Sequence, residues 1–207
     1  MDASSWNERY RSSDRVWTGA PNEALVEFAP PAPTEGALAL DLGCGEGADA
    51  LWLAGAGYRV TGVDWAGVAL QRAEQAADDT GADARFVEGD ITDSEALAAM
   101  SPTGTFALVL LAYLHPEPED RERLYCHLPS LVAPGGCLLV IAHDPEHGLL
   151  GFPGPDPSRL MSADDILNAL ELPTGFEVVT RTTRPKQRDS DGEVVAIDSV
   201  VVARRLA

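Results

Sequence analysis

The sequence predicts an α/β protein built on a mostly parallel β-sheet with helices on both faces. Strand-like apolar segments alternate with helix-like segments along most of the chain, which is the pattern of repeated βαβ units. The run FALVLLAYLH at 106–115 is continuously apolar, as is typical of a central parallel strand covered on both faces. Strand-like segments at 176–184 and 194–205 close the chain, with Asp191 and Gly192 as a hairpin turn signal between them.

The size and charge of the chain limit what it can be. Its 207 residues, 45% of them hydrophobic, suffice for one globular domain with a sizeable core, predicted over 1–207. The formal net charge of -18 disfavours binding to nucleic acid or to anionic membranes. Three scattered cysteines and no apolar signal or membrane segment agree with a cytoplasmic protein.

The N-terminal part, 1–35, is predicted to be a helical attachment followed by a linker, and the sheet domain is predicted over 36–207. Asn22 is a candidate helix cap, and APPAPTEG at 29–36 forms the stiff connection. Within the sheet domain, short apolar runs predict strands and three- to four-residue apolar spacing predicts helices. The predicted strands before the final pair are 37–43, 58–65, 84–91, 106–115 and 137–144. The predicted helices are 49–57, 68–79, 94–100, 120–132 and one capped by Ser162. A turn at 134–136 and a long loop at 147–160 are also predicted.

A glycine-rich segment, LDLGCGEGA at 40–48, joins the first predicted strand to the first predicted helix of the sheet. An open α/β sheet binds nucleotide-like ligands at this position. Gly43 permits a tight turn, Gly45 a close approach of the backbone to a ligand, and Gly47 close packing of the helix start. Together with Ala48 and with Asp64 about 20 residues on, the segment also fits a dinucleotide-binding motif. An NAD(P)-binding oxidoreductase is therefore an alternative interpretation.

Two carboxylates and the domain count favour a different cofactor. Asp41 lies two residues before Gly43, where its charge would attract a cationic ligand and repel a pyrophosphate. Asp90 is predicted to end the third strand, where it can accept a hydrogen bond from an exocyclic adenine amine. The chain also lacks a second domain to hold a hydride acceptor.

Four motifs carry a family resemblance. LDLGCGEG, VTGVDW, FVEGDI and FALVLLAYLHP, in this order, resemble the motifs of class I S-adenosylmethionine-dependent methyltransferases over residues 36–207. The N-terminal WNERY…VW…PN block and the segments YLHP and AHDP are similar to the bacterial tellurite-resistance and thiopurine methyltransferase-like subgroup. The resemblance implies a Rossmann-like fold with a seven-stranded sheet whose last strand is antiparallel. It also implies S-adenosyl-L-methionine as the cofactor.

The resemblance assigns residues to each part of that cofactor. The loop glycines Gly43, Gly45 and Gly47 would bend around the methionine moiety, with Asp41 near its ammonium group. The residues implied for the rest of the cofactor are Asp64 for both ribose hydroxyls, Trp65 for the adenine face, Asp90 and the Ile91 backbone for the adenine edge, and Leu111 for the reactive centre. The alternative is that the three aspartates are solvated caps of strand ends and that Trp65 only packs against a helix.

Direct in-line transfer of a methyl group from a sulfonium needs no metal, and it needs a general base only if the acceptor arrives protonated. His115 and His143 are the candidate bases, because both follow strands whose ends face the ligand crevice. His143 and His147 have the spacing of metal ligands on a helix, but Pro145 between them argues against that helix, and no metal site is predicted. The acceptor is predicted to be a small molecule with a sulfur, oxygen or nitrogen nucleophile.

The acceptor pocket is predicted to be partly aromatic. Tyr10, Trp17 and Tyr113 are candidates to line it, with residues 1–28 closing over the cofactor as a lid. The alternative is that the N-terminal aromatic residues only attach the first helix to the sheet. A non-catalytic protein that binds adenosylmethionine as a regulatory ligand is a further alternative.

Overall fold

The computed structural model describes residues 3–101, 105–187 and 192–207, and within them seven strands form one sheet. The strands are β1 (Ala37–Leu42), β2 (Tyr58–Asp64), β3 (Ala84–Glu88), β4 (Phe106–Ala112), β5 (Val132–His143), β6 (Phe176–Gln187) and β7 (Val194–Arg205). The α-helices are α1 (Ala3–Arg11), α2 (Glu23–Phe28), α3 (Ala48–Gly55), α4 (Gly67–Thr80), α5 (Ser94–Ala99), α6 (Arg121–Tyr125), α7 (Pro145–Leu149) and α8 (Ala163–Leu170). In the described part of the chain, no helix is both long and apolar enough to cross a membrane.

The sheet has the strand order β3-β2-β1-β4-β5-β7-β6. The first five strands pair in parallel, whereas β7 runs antiparallel to both β5 and β6. This confirms the predicted mostly parallel sheet with an antiparallel last strand. The chain builds outward from β1 to β3 and then returns to place β4 on the other side of β1. The carboxyl ends of β1 and β4 therefore form the crevice in which such sheets bind ligands.

The two faces of the sheet are both buried, as the continuous apolar run in β4 predicts. Val109 and Leu111 pack into one core cluster, and Leu108 and Leu110 pack into another on the opposite face. All four side chains are almost completely inaccessible to solvent. The alternation of side chains along a strand explains why this strand tolerates no polar residue on either face.

Two strands, β3 and β4, end three residues earlier than predicted. β3 stops at Glu88, and Asp90 lies in the following turn, where its Oδ1 accepts the backbone N–H and the hydroxyl of Thr92 at 2.8 and 2.7 Å. The prediction that Asp90 ends the strand is therefore wrong, because its side chain stabilises a turn instead. β4 stops at Ala112 because Tyr113 adopts a left-handed backbone conformation with φ 52°.

The predicted helix at 120–132 is interrupted. It is observed as α6 followed by a 3-10 helix over Leu128–Leu131. Pro129 has no N–H to donate within a continuous helix. The prediction of a turn at 134–136 is wrong, because these residues lie within β5, whose pairing with β4 shifts register between Phe106 and Leu108.

The predicted loop at 147–160 contains part of a helix. α7 begins at Pro145, with Asp144 as its cap accepting the N–H of Glu146 at 2.9 Å. His143 ends β5 and α7 begins only at Pro145, so no continuous helix joins His143 to His147, as predicted. The short helix α7 itself differs from the predicted loop, because proline is favoured in the first turn of a helix, where its missing N–H has no partner to lose. The turn predicted between β6 and β7 involves Asp191, which lies outside the described residues.

Candidate functional site

The glycine loop between β1 and α3 has the backbone that its sequence requires. Gly43, Gly45 and Gly47 have φ values of 74°, 53° and 83°, a region that side chains disfavour. A Cβ on Gly47 would lie 2.8 Å from the Cβ of Ala73, so α3 and α4 pack too closely for any larger residue. A Cβ on Gly43 would lie 3.1 Å from Leu114, which connects the loop with the end of β4.

Asp41 lies beneath this loop and is only 2% exposed. Its Oδ2 atom is buried and has no hydrogen-bond partner among the described residues. Burial, followed by the charges of Asp49 and Asp64, raises the pKa of Asp41 well above its ordinary value. A buried carboxylate oxygen without a partner is costly, and a cationic group bound above the loop would satisfy it. The site therefore fits a ligand that carries an ammonium or sulfonium charge.

Asp64 lies at the carboxyl end of β2 and is bound to the glycine loop. Its Oδ2 accepts the N–H of Gly45 and its Oδ1 accepts the N–H of Ala66, both at 2.9 Å. Burial raises the pKa of Asp64, and these backbone hydrogen bonds partly oppose the rise. The carboxylate therefore fixes the loop already in the free protein.

The other residues implied for the cofactor lie on both sides of this loop. Trp65 is half-buried beside the small apolar cluster of Tyr10, Ala66 and Ala69. Ile91 is buried next to the turn of Asp90. Leu111 is 1% exposed and its side chain packs in the core. The role implied for each of them stays a prediction.

The N-terminal segment lies directly on the glycine loop. The hydroxyl oxygen of Tyr10 is 2.9 Å from the position that a Cβ on Gly45 would occupy, and it accepts the indole N–H of Trp17 at 3.1 Å. Tyr10 is 3% exposed, whereas Trp17 is 48% exposed. Burial raises the pKa of Tyr10 to about 12, so its hydroxyl stays protonated. Of the two N-terminal candidates for the pocket, Tyr10 faces inward and Trp17 lies at the edge.

An ion pair that the sequence analysis missed attaches this segment. Glu46, within the loop, accepts the N–H groups of Val16 and Trp17 at 3.1 Å and pairs with Arg72 of α4 at 2.7 Å. The other guanidinium nitrogen of Arg72 donates to the Tyr10 carbonyl, also at 2.7 Å. The position of Glu46 between two loop glycines gives no sign in the sequence that it attaches the N-terminal segment.

A second polar cluster lies at the carboxyl ends of β4 and β5. The ring of His143 stacks 5.2 Å from that of His115 and 4.1 Å from that of His147, measured between centroids. The Tyr113 ring lies 4.7 Å from His143. The fifth member, Asp198 on β7, is completely buried. Leu114 joins this cluster to the glycine loop, because it lies between Tyr113 and His115 in sequence and contacts Gly43.

Known proteins share both the sequence of this loop region and the fold. Residues 39–136 match the family described as "Methyltransferase domain". A demethylmenaquinone methyltransferase of Thermus thermophilus is 36% identical over 108 residues, which are 51% of this chain and 47% of that protein. The chain thus spans about half the length of this curated relative.

Two solved structures illustrate the likeness of the fold. An S-adenosylmethionine-dependent methyltransferase from Anabaena variabilis has a TM-score of 0.75 at 20% identity, with 99% of this chain and 96% of that one covered. Magnesium protoporphyrin IX methyltransferase from Synechocystis, with bound S-adenosylhomocysteine, has a TM-score of 0.65 at 19% identity, with coverages of 98% and 84%.

The sequence matches and the shared fold agree with the predicted class I S-adenosylmethionine-dependent methyltransferase family and with S-adenosylmethionine as its cofactor. The solved structures confirm the predicted fold class. The finer resemblance to the tellurite-resistance and thiopurine methyltransferase-like subgroup stays a prediction.

Replacing Asp64 by alanine should weaken binding of S-adenosylmethionine by ~2–3 kcal/mol if its carboxylate is, as predicted, the charged acceptor for two ribose hydroxyls. It should also lower the melting temperature, since the N–H groups of Gly45 and Ala66 lose their acceptor. Calorimetric titration measures the affinity. Asp83→Ala, which removes an exposed carboxylate paired with Arg59, is the matched control. An affinity unchanged by Asp64→Ala would mean that Asp64 serves only the loop.

Proposed function

We propose that this protein transfers the methyl group of S-adenosylmethionine to a small-molecule acceptor. The observation that carries the proposal is the buried, unpartnered Oδ2 of Asp41 beneath the glycine loop. A cationic cofactor satisfies this atom, whereas the pyrophosphate of a nicotinamide cofactor would be repelled by Asp41, Asp49 and Asp64. This charge pattern favours methyl transfer over the oxidoreductase alternative.

The chain's own residues would hold the cofactor and exclude water. The glycine loop and Asp41 would bind the methionine part, and Asp64 the ribose. The bound cofactor supplies an electrophilic methyl group. The N-terminal segment, attached through Glu46 and Arg72, would cover the crevice and confine the acceptor, which favours a reactive geometry.

The negative charge of the protein supports a small molecule as the methyl acceptor. A formal net charge of -18 opposes the approach of nucleic acid. The named relatives include methyltransferases for demethylmenaquinone and for magnesium protoporphyrin IX. Both acceptors are small molecules with conjugated rings, and we propose an acceptor of comparable size here.

S-adenosylmethionine should raise the melting temperature of the protein, because a ligand that binds only the native state stabilises it. At one hundred times its Kd the gain is about 2.7 kcal/mol. NADH should leave the melting temperature unchanged. Transfer of a tritiated methyl group to a panel of thiols, phenols and amines then tests catalysis. Stabilisation by NADH and not by adenosylmethionine would contradict the proposal, and tight cofactor binding without transfer to any acceptor would favour a regulatory protein.

A further inference from the structure

His147 has both ring nitrogens in hydrogen bonds, and His115 has its Nε2 in one. Nδ1 of His147 accepts the N–H of Ile197 at 3.4 Å, and its Nε2 lies 3.1 Å from the carbonyl oxygen of Pro153. Nε2 of His115 accepts the N–H of His143 at 3.2 Å. Burial, and then the neighbouring His143, lower the pKa of both rings, that of His115 to about 3. Neither histidine is placed to take up a further proton.

His143 differs from both neighbours. Its Nδ1 lies 3.0 Å from Oδ1 of Asp198, and the hydroxyl of Tyr113 donates to Oδ2 of the same carboxylate at 2.8 Å. Because an ionised carboxylate only accepts hydrogen bonds, Nδ1 of His143 carries the ring proton. Nε2 is then left with its lone pair free, and among the described residues it has no hydrogen-bond partner. This tautomer is the one that a general base needs.

We infer that His143 removes the proton of the methyl acceptor and that Asp198, held by Tyr113, is the positioning residue that orients it. We further infer that the acceptor is an aromatic hydroxyl. The inference rests on the proposed function. The O–H bond breaks and its proton moves to Nε2, while an oxygen lone pair forms the new bond to the methyl carbon. The electron pair of the old carbon–sulfur bond stays on sulfur, which becomes a neutral thioether, and His143 becomes an imidazolium.

The chemistry of the cluster selects this acceptor class. A thioether or tertiary amine has no proton to lose, and thiols ionise readily without help. A phenol, with a pKa near 10, is mostly protonated at neutral pH and profits from a fixed base. The partly exposed rings of Tyr113, His115 and Phe152 provide stacking partners for a planar molecule. Asp198 balances the charge that His143 gains.

The first test reads the ring protons of the full-length free protein by nitrogen–proton NMR correlation, without any acceptor. His143 is expected as the Nδ1–H tautomer and His147 as the Nε2–H tautomer. Asp198→Asn should convert His143 to the Nε2–H tautomer, because the asparagine amide can donate to Nδ1. His127, whose Nδ1 bonds the Arg123 carbonyl instead, should be unaffected. An Nε2–H tautomer of His143 in the wild type, or no change in Asp198→Asn, would overturn the role of Asp198.

The second test uses 4-methylphenol and 4-nitrophenol as acceptors at pH 8, where only the nitrophenol is largely ionised. His143→Gln should lower kcat for 4-methylphenol about 100-fold or more, with a much smaller loss for 4-nitrophenol and an unchanged Kd for the cofactor. The control is Tyr125→Phe, which removes a buried hydroxyl that has no partner. An equal loss of kcat for both phenols would show that His143 is not the base that removes the proton. If the wild-type protein binds the cofactor and methylates thiophenol but neither phenol, the inferred acceptor class is overturned. If it does not bind the cofactor, the proposed function itself is overturned.

Discussion

Replacing Asp41 by asparagine should make the free protein more stable and its cofactor binding weaker. The carboxylate is buried beside Asp49 and Asp64, and one of its oxygens lacks a partner. Asparagine has nearly the same shape and no charge, so ~1–3 kcal/mol of unfolding free energy should be gained. The cofactor's cationic group would lose its ionic partner, which should reduce affinity roughly 10- to 100-fold. Stability and binding thus change in opposite directions.

The pH dependence of this gain follows from the raised pKa of Asp41. Below about pH 4 the carboxyl group is protonated in both the folded and the unfolded chain, so its charge costs nothing. As the pH rises, the unfolded chain releases the proton first, and the native state loses stability until the pH passes the raised pKa. The benefit of Asp41→Asn should therefore be small near pH 4 and larger at pH 8.

Urea unfolding at both pH values measures the gain, and calorimetry measures the affinity. Asp83→Asn removes an exposed carboxylate and should change neither quantity appreciably. A variant that is less stable than the wild type yet binds the cofactor equally well would show that Asp41 is a structural residue.

The fold could be predicted because its main features are local. The alternation of strand and helix patterns and the two-sided apolar character of β4 require no knowledge of distant contacts. The capping box of Ser162 with Asp165 on α8 is equally local and is observed. The predicted helix and loop bounds were wrong where two local rules compete. Proline, as at Pro145, is unfavourable inside a helix but favourable in its first turn.

The site could be predicted only in part, because its second half depends on strand register. His143 was a candidate, but its partner Asp198 is 55 residues away and pairs with it only through the antiparallel register of β5 and β7. One signal was present. Asp198 is a carboxylate within the apolar run VVAIDSVVV, and a charged residue in a buried strand requires a partner. The attachment of the N-terminal segment through Glu46 and Arg72 gave no comparable signal.

Deleting residues 1–20 should abolish turnover and weaken cofactor binding while the sheet domain still unfolds cooperatively. In the described residues, neither large core cluster contains a member of this segment. Asn22, which caps α2 and donates its N–H to Asp49 at 2.6 Å, is retained. The deletion removes Tyr10 from its place over Gly45 and opens the crevice to water.

The expected loss of turnover is at least 100-fold, because the acceptor is no longer confined, and the expected loss of cofactor affinity is about tenfold from missing aromatic contacts. Glu46→Gln should give an intermediate loss, since it keeps the segment but weakens its pairing with Arg72 and the N–H groups of Val16 and Trp17.

Deleting only residues 1 and 2 is the control for a shortened terminus. Methyl transfer to one fixed acceptor, calorimetry and urea unfolding are measured for all variants. Full activity after the 20-residue deletion would disprove a lid, and loss of cooperative unfolding would show instead that the aromatic residues attach the first helix for stability alone.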